Sequence, residues 1–230
     1  MGQLEDLFAR FDRIVVLDTE TTGLSWARDE IIELAAVTLT RESGALEVSR
    51  EYDELIALSP GRYLPRTITE LTGITPEDLR DRGISKAQAC RDLTELVPDG
   101  RTLVAAYNAP FDLEFLLFSL LRAPEAERFR RAGFLDLLTV YRDRRPYPHK
   151  LKDAIAAYGL GDRVKNSHHA LEDVRATVEV LLAMDRERGD IGNYVNLFGY
   201  LRKYGLSGRP LGGITYRPQE LEPGRPIYER

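Results

Sequence analysis

The sequence predicts an α/β fold in which a mixed sheet is covered by helices. Two features carry this expectation. Apolar, β-branched runs follow one another with short connections between residues 14 and 58, as in an antiparallel meander. Helix-start signals and helical periodicity then alternate with a further apolar run, so strands come first and strands with helices come after. At 230 residues, 43% hydrophobic and 30% charged, the chain holds enough apolar material to bury one sizeable core.

Ile14-Val15-Val16-Leu17 is a continuous β-branched run, the mark of a strand buried on both faces near the centre of a sheet. Asp29 to Thr40, rich in Ile and Val, gives a second strand after the loop Gly23 to Arg28. Val48 to Leu58 gives a third, with a turn at Gly44 before it. Thr75-Pro76-Glu77-Asp78 starts a helix: a capping hydroxyl, proline at the first helical position, then acids in the first turn. Ser85-Lys86-Ala87-Gln88 is a second start with the form of a capping box. Leu103 to Tyr107 is a fourth strand, followed by a helix from about Ala109 to Arg122. Leu135 to Tyr141 fits a strand or a helix. Leu151 to Tyr158 is a short amphipathic helix ended by Gly159. Ala170 to Arg188 is a longer one, with Val174, Val178, Leu181 and Leu182 on one face.

The formal net charge is −5. Charge-driven coating of nucleic acid requires a basic surface, so that class of function is disfavoured. An acidic enzyme can still accept a polyanion where bound divalent cations reverse the local field. Cys90 is the single cysteine, which excludes an intrachain disulfide and points to a reducing, cytoplasmic setting. Met1 to Phe11 lacks a signal-peptide core, and Asp6 stands where a myristoylation signal has Ser or Thr. The most apolar stretch, Leu113 to Leu121, contains Glu114 and Ser119 and is too short to span a bilayer, so no membrane role is expected.

Three motifs bear on chemistry. Asp18 and Glu20 stand two apart at the end of the first strand, so both carboxylates face one side of the sheet. Two adjacent acids repel, and a hard divalent cation explains the pairing; an exposed acid pair in a loop is the plainer alternative. Thr21-Thr22-Gly23 follows, with small hydroxylic residues and a glycine that let a strand end open its backbone N–H groups to a ligand. Asn108-Ala109-Pro110-Phe111-Asp112 opens the helix after the fourth strand. Asp112 in that first turn either ligates a metal or simply stabilises the helix start. Phe111 is either a core aromatic or a ring beside a nucleobase. His168-His169-Ala170-Leu171-Glu172-Asp173 spans a junction of loop and helix. His168 does not share the helical face of Asp173, but from the preceding loop it can swing over a metal held there. His169 is expected to be exposed, and His149 structural or solvated.

In this order and at these intervals, the strings D-T-E-T-T-G, N-A-x-F-D and H-x-A-x-x-D resemble the DnaQ-like exonucleases of the DEDDh type, within the RNase H-like superfold. The resemblance covers about residues 12–187, and Ile68 to Thr75 looks like the family's helical region between the third and fourth strands. It implies a mixed five-stranded sheet, with three antiparallel strands and then parallel ones, flanked by helices. It implies a metal-dependent 3′→5′ exonuclease that releases 5′-mononucleotides from DNA 3′ ends, in proofreading or repair. Asp18, Glu20, Asp112 and Asp173 are the implied ligands of two divalent cations, Mg²⁺ or Mn²⁺, and His168 the implied general base. By the same resemblance, the backbone from Thr19 through Thr21 and Thr22 to Gly23 grips the terminal nucleotide. Leu24 wedges against the last base, with Asn108 and Phe111 nearby. The family often has a histidine just before N-A-x-F-D; here it is Tyr107.

Composition shifts after Gly189. The last 42 residues hold eight of the 18 glycines and four of the 12 prolines, with interleaved tyrosines and arginines. Residues 1–188 are thus expected to form the exonuclease domain, and 189–230 an extension lying outside it that serves as a segment for a polymerase or another nucleic-acid-processing partner. Two alternatives stay open: an exoribonuclease of the same fold, and a catalytically idle module that holds a 3′ end or a partner.

Overall fold

A computed structural model of the chain describes residues 3–98, 100–164 and 169–198, together with two short paired strands, Tyr200–Leu201 and Gly205–Leu206. The expected mixed sheet has five strands: β1 (Arg13–Thr21), β2 (Ile31–Glu42), β3 (Ala45–Leu55), β4 (Thr102–Ala106) and β5 (Gly133–Asp136). Their order is β3-β2-β1-β4-β5. β1 pairs antiparallel with β2 and parallel with β4, and β5 runs parallel to β4. The β-branched run of β1 is central because it is apolar on both sides: Ile14 and Val16 enter one core, Val15 and Leu17 the other. Ser43 and Gly44, both with positive φ, close the hairpin between β2 and β3. Strand β3 lies at the sheet edge and carries Glu47, Arg50, Glu51, Asp53 and Glu54, charges that discourage pairing with another chain.

Nine helices flank the sheet among the described residues: α1 (Glu5–Phe8), α2 (Arg66–Thr72), α3 (Pro76–Asp81), α4 (Lys86–Leu96), α5 (Ala109–Phe115), α6 (Ala123–Phe129), α7 (Leu137–Arg144), α8 (Leu151–Ala157) and α9 (Ala170–Glu187). The long α9 lays Val174, Leu181 and Met184 against Ile14, Val16, Ala35 and Val37. On the opposite face, Leu93 of α4 and Leu113 of α5 pack with Val15, Leu17 and Ala36. Thr75 and Asp78 form the complete reciprocal cap at the start of α3, with bonds of 3.0 and 3.1 Å. Among the described residues, no helix is long and apolar enough to cross a membrane.

Several expectations are refined. The capping box at Ser85 is half formed: Ser85 accepts the Gln88 N–H, but the Gln88 side chain donates to Asp92 at 2.6 Å. The helix expected to reach Arg122 is α-helical only to Phe115 and then becomes a π-helical turn over Leu116–Leu120. The wider turn lets Leu116, Leu117 and Leu120 all face the core. The ambiguous stretch Leu135 to Tyr141 is both things, since β5 ends at Asp136 and α7 begins at Leu137.

The expected boundary after residue 188 cuts through packed structure. Ile191–Tyr194 form a 3₁₀ turn, and Tyr194, Val195, Leu197 and Phe198 are buried. The Tyr194 hydroxyl donates to Asp143 at 2.8 Å, and Asn196 exchanges two hydrogen bonds with the Phe134 backbone, extending the β5 edge. Apolar residues beyond Arg188 thus complete both cores rather than lying outside them. Apart from the two short strands, residues 199–230 of the expected extension lie outside the described residues.

Candidate metal centre

The period of β1 directs Asp18 and Glu20 to the α9 face, where Asp173 stands in the first turn of that helix. Ligand oxygens of Asp18, Glu20 and Asp173 lie within 4.8 Å of one another. The approach of α9 is fixed by a residue the motif search missed. Glu33 sits opposite Glu20 in the β1–β2 ladder, is buried, and accepts the Ala170 N–H at 3.2 Å. It anchors the start of α9 three residues before Asp173. A signal was present in Ile31-Ile32-Glu33-Leu34-Ala35: an acid inside a strand otherwise apolar on both faces needs a partner.

Asp112 is placed differently from the other three expected ligands. Thr19 points to the α5 face of β1, and Asp112 Oδ1 accepts both its N–H at 3.0 Å and its hydroxyl at 2.7 Å. Three carboxylates therefore converge, while Asp112 is tied to the other side of the strand. It remains close enough to act on Asp18 electrostatically. Asp136, also missed, sets the start of α5. Its Oδ1 accepts the Asn108 and Ala109 N–H groups at 3.0 and 3.1 Å, and the Leu138 N–H of α7 at 3.2 Å. Its Oδ2 accepts the Thr139 hydroxyl at 2.6 Å.

Burial first, and then the charges of neighbouring acids, raise the pKa values of these carboxylates. Burial raises Asp18 well above the ordinary carboxylate range, and the charges of Asp112, Glu20, Asp173 and Glu33 add to it. Glu20 is pushed up to about 8 by burial and then by Glu33, Asp173 and Asp112. Burial also lifts Asp112 to about 7, against the opposing bonds from Thr19. Glu33 rises to about 7 through burial, opposed by the Ala170 N–H and reinforced by Asp53. So many acids cannot ionise together without countercharge, and an all-oxygen donor set of this kind fits a hard divalent cation.

The expected substrate contacts divide into occupied and open groups. Thr19 is committed to Asp112. The Thr21 hydroxyl donates to the Gly23 carbonyl at 2.6 Å, and Thr22 exchanges hydrogen bonds with the Glu30 backbone. These hydroxyls shape the loop after β1. Gly23 is required by packing, because a Cβ there would meet the Asp29 carboxylate at 2.6 Å, and that carboxylate receives the Ser25 N–H. Leu24 is 88% exposed. Asn108 holds a left-handed backbone (φ 71°) with an exposed side chain, and Phe111, half-buried, packs on Phe115 at 5.1 Å between ring centroids. Tyr107 donates to the His149 carbonyl at 2.9 Å. His169 occupies the N-cap position of α9 without a side-chain cap and is exposed; His168 lies outside the described residues.

Residues 15–181 match the model of the exonuclease family RNase T. The chain is 34% identical over 182 residues to a PolC-type DNA polymerase III of Bacillus subtilis, spanning 77% of this chain and 12% of the polymerase. It is 27% identical over 188 residues to a DNA polymerase III subunit epsilon of Rickettsia prowazekii, spanning 80% of this chain and 79% of that subunit. Among solved structures, E. coli Exonuclease I in complex with a dA16 oligonucleotide shares the fold, with a TM-score of 0.66, 21% identity and coverage of 82% of this chain and 43% of that one. The cell-death related nuclease CRN-4 shares it at a TM-score of 0.63, 16% identity and coverage of 78% and 65%.

Proposed function

Because the chain belongs to the DnaQ-like exonuclease family, we propose that it removes 5′-mononucleotides from DNA 3′ ends in a divalent-metal-dependent hydrolysis. The observation that carries this is the convergence of Asp18, Glu20 and Asp173 within 4.8 Å at the end of β1. These three would hold one cation, and Asp18 with Asp112 on its other side would face a second. Mg²⁺ suits the oxygen donors and a phosphate substrate, with Mn²⁺ as a substitute. When bound, the cations supply positive charge at the scissile phosphate and acidify the attacking water.

The chain's own residues supply positioning and a proton acceptor. Glu33 holds α9, and therefore Asp173, against β1. Thr19 and Asp136 hold Asp112 and its helix. His168 takes the proton of the attacking water, so activity rises with pH through its pKa. Exposed Leu24 meets the terminal base. Similarity to polymerase III chains favours DNA and a proofreading role beside a polymerase, in the cytoplasm.

The test compares 5′-labelled single-stranded DNA, duplex DNA and RNA of matched sequence, with Mg²⁺ and with Mn²⁺. A ladder shortening from the 3′ end of DNA, absent in Asp18→Ala, is the expected result. Shortening of RNA alone would make the chain an exoribonuclease. Binding of 3′ ends without shortening would make it an idle binding module.

A further inference from the structure

At the surface, two large aromatic rings that the site does not use rest against each other at a tilt of 39°. Trp26, in the loop after β1, and Phe118, in the π-helical turn after α5, lie with ring centroids 4.9 Å apart. Each is 40% exposed. Most of the π turn is buried, with Leu116, Leu117 and Leu120 facing the core, so Phe118 is the side chain it turns outward. The contact brings the loop of Leu24 and Trp26 against the π turn that follows α5.

We propose that Trp26 and Phe118 form a stacking platform for a nucleobase of the single-stranded segment behind the 3′-terminal nucleotide. Placement carries this. Phe118 follows Asp112 by six residues, at most about 9 Å along the helix axis. That is roughly two or three base steps at about 3.4 Å each. Arg28, two residues after Trp26, is exposed in the same loop and carries positive charge in a chain of net charge −5. Aromatic faces bind single strands by stacking without regard to sequence, which suits an enzyme that must accept every base. Each ring keeps 40% exposure while resting against the other, so both faces toward solvent belong to one paired surface.

The inference rests on the exonuclease reading but is tested separately from it. Trp26 is the only tryptophan in the chain, so fluorescence excited selectively at tryptophan, beyond the absorption of the 11 tyrosines, reports on this site. The probes are a thymidine dinucleotide and an oligothymidylate of about eight nucleotides with phosphorothioate 3′ linkages, added to the unaltered protein in Ca²⁺. Saturating oligonucleotide is expected to quench Trp26, and the dinucleotide to quench it much less. In Trp26→Ala and Phe118→Ala, KM for the ordinary oligonucleotide should rise roughly tenfold relative to KM for the dinucleotide. Trp26→Phe should restore most of the ratio. Fluorescence unmoved by saturating oligonucleotide overturns the platform, as it must if the rings serve a protein partner instead. So does an unchanged KM ratio in both alanine variants with native circular dichroism. Mononucleotide release with unmoved fluorescence removes the platform alone. Quenching without any release removes the exonuclease reading and leaves the platform standing.

Discussion

At Asp18, stability and chemistry pull in opposite directions. Its half-buried carboxylate lies close to Glu20, Asp112, Asp173 and Glu33, all of the same sign. Without a cation, each added negative charge costs free energy; with one, the same charges become ligands. Asp18→Asn is therefore expected to raise the melting temperature of the chelator-treated protein near pH 8, by about 2–4 °C for each kcal/mol of repulsion relieved. The same variant should lose exonuclease activity by about a hundredfold or more, the scale of a lost electrostatic contact in catalysis. Calorimetry in chelator, paired with mononucleotide release in Mg²⁺, checks both halves. A variant that melts lower than the parent in chelator would contradict the repulsion. Thr19→Val isolates the other side of the strand. It deletes the 2.7 Å hydroxyl bond to Asp112 and leaves the backbone bond at 3.0 Å. The expected cost is about 1–2 kcal/mol of stability, read from denaturant unfolding. Sequence alone marked Asp18 and Glu20, because strand periodicity fixes which face they share. It did not separate Asp112 from them, because the face of an α5 residue relative to β1 depends on which neighbour its side chain finds. Glu33 escaped for the same reason, since its partner is a backbone N–H distant in sequence; Asp136 joins the distant Asn108 and Ala109 N–H groups to a local cap on α7.

The elements most readable from sequence are those whose signals are local. Thr75-Pro76 and Gly159 mark helix ends through caps and a positive φ that need no tertiary partner. The π turn at Leu116–Leu120 was not readable, since it arises from how three leucines settle into the core. Nor was the junction at Asp136, where a strand and two helix starts meet on one carboxylate. That junction is the point at which α5, and with it Asp112, is held in register with α7. Asp136→Ala should leave the Asn108, Ala109 and Leu138 N–H groups unpaired, at a cost of roughly 3 kcal/mol or more. Asp136→Asn keeps one oxygen for these donors, and Thr139 can turn its hydroxyl to accept from the new amide. It should recover most of the stability and of the activity. Equal destabilisation by Ala and Asn, measured by urea unfolding, would show that charge and not hydrogen-bond geometry fastens the two helices.

Over the whole molecule, the acids at the metal centre set how stability responds to pH. Glu20, Glu33 and Asp112 have folded-state pKa values of about 8, 7 and 7, above the ordinary 4.5 and 3.8. Between the ordinary and the raised values the folded chain binds more protons than the unfolded chain, so stability falls as pH rises. For these three groups the loss begins above the ordinary carboxylate range and runs through about pH 8, the highest of their folded values. The lowered carboxylates (Asp12, Glu30, Glu51, Asp78 and Glu187) act with the opposite sign but only below their ordinary values, outside that window. A metal-free melting temperature that declines from about pH 5 to about pH 8 is therefore expected, the reverse of ordinary acid denaturation. A divalent cation must displace the protons these groups hold, so its stabilising effect should grow with pH and its binding should release protons. Added Mg²⁺ should flatten or reverse the decline. Melting curves across this range, with chelator and with Mg²⁺, together with proton release measured by calorimetry in buffers of different ionisation enthalpy, test the linkage. A chelator curve that is flat or rises toward pH 8 would mean that the carboxylates are not crowded as the fold places them. The metal-centre assignment would then lose the electrostatic reason on which it stands.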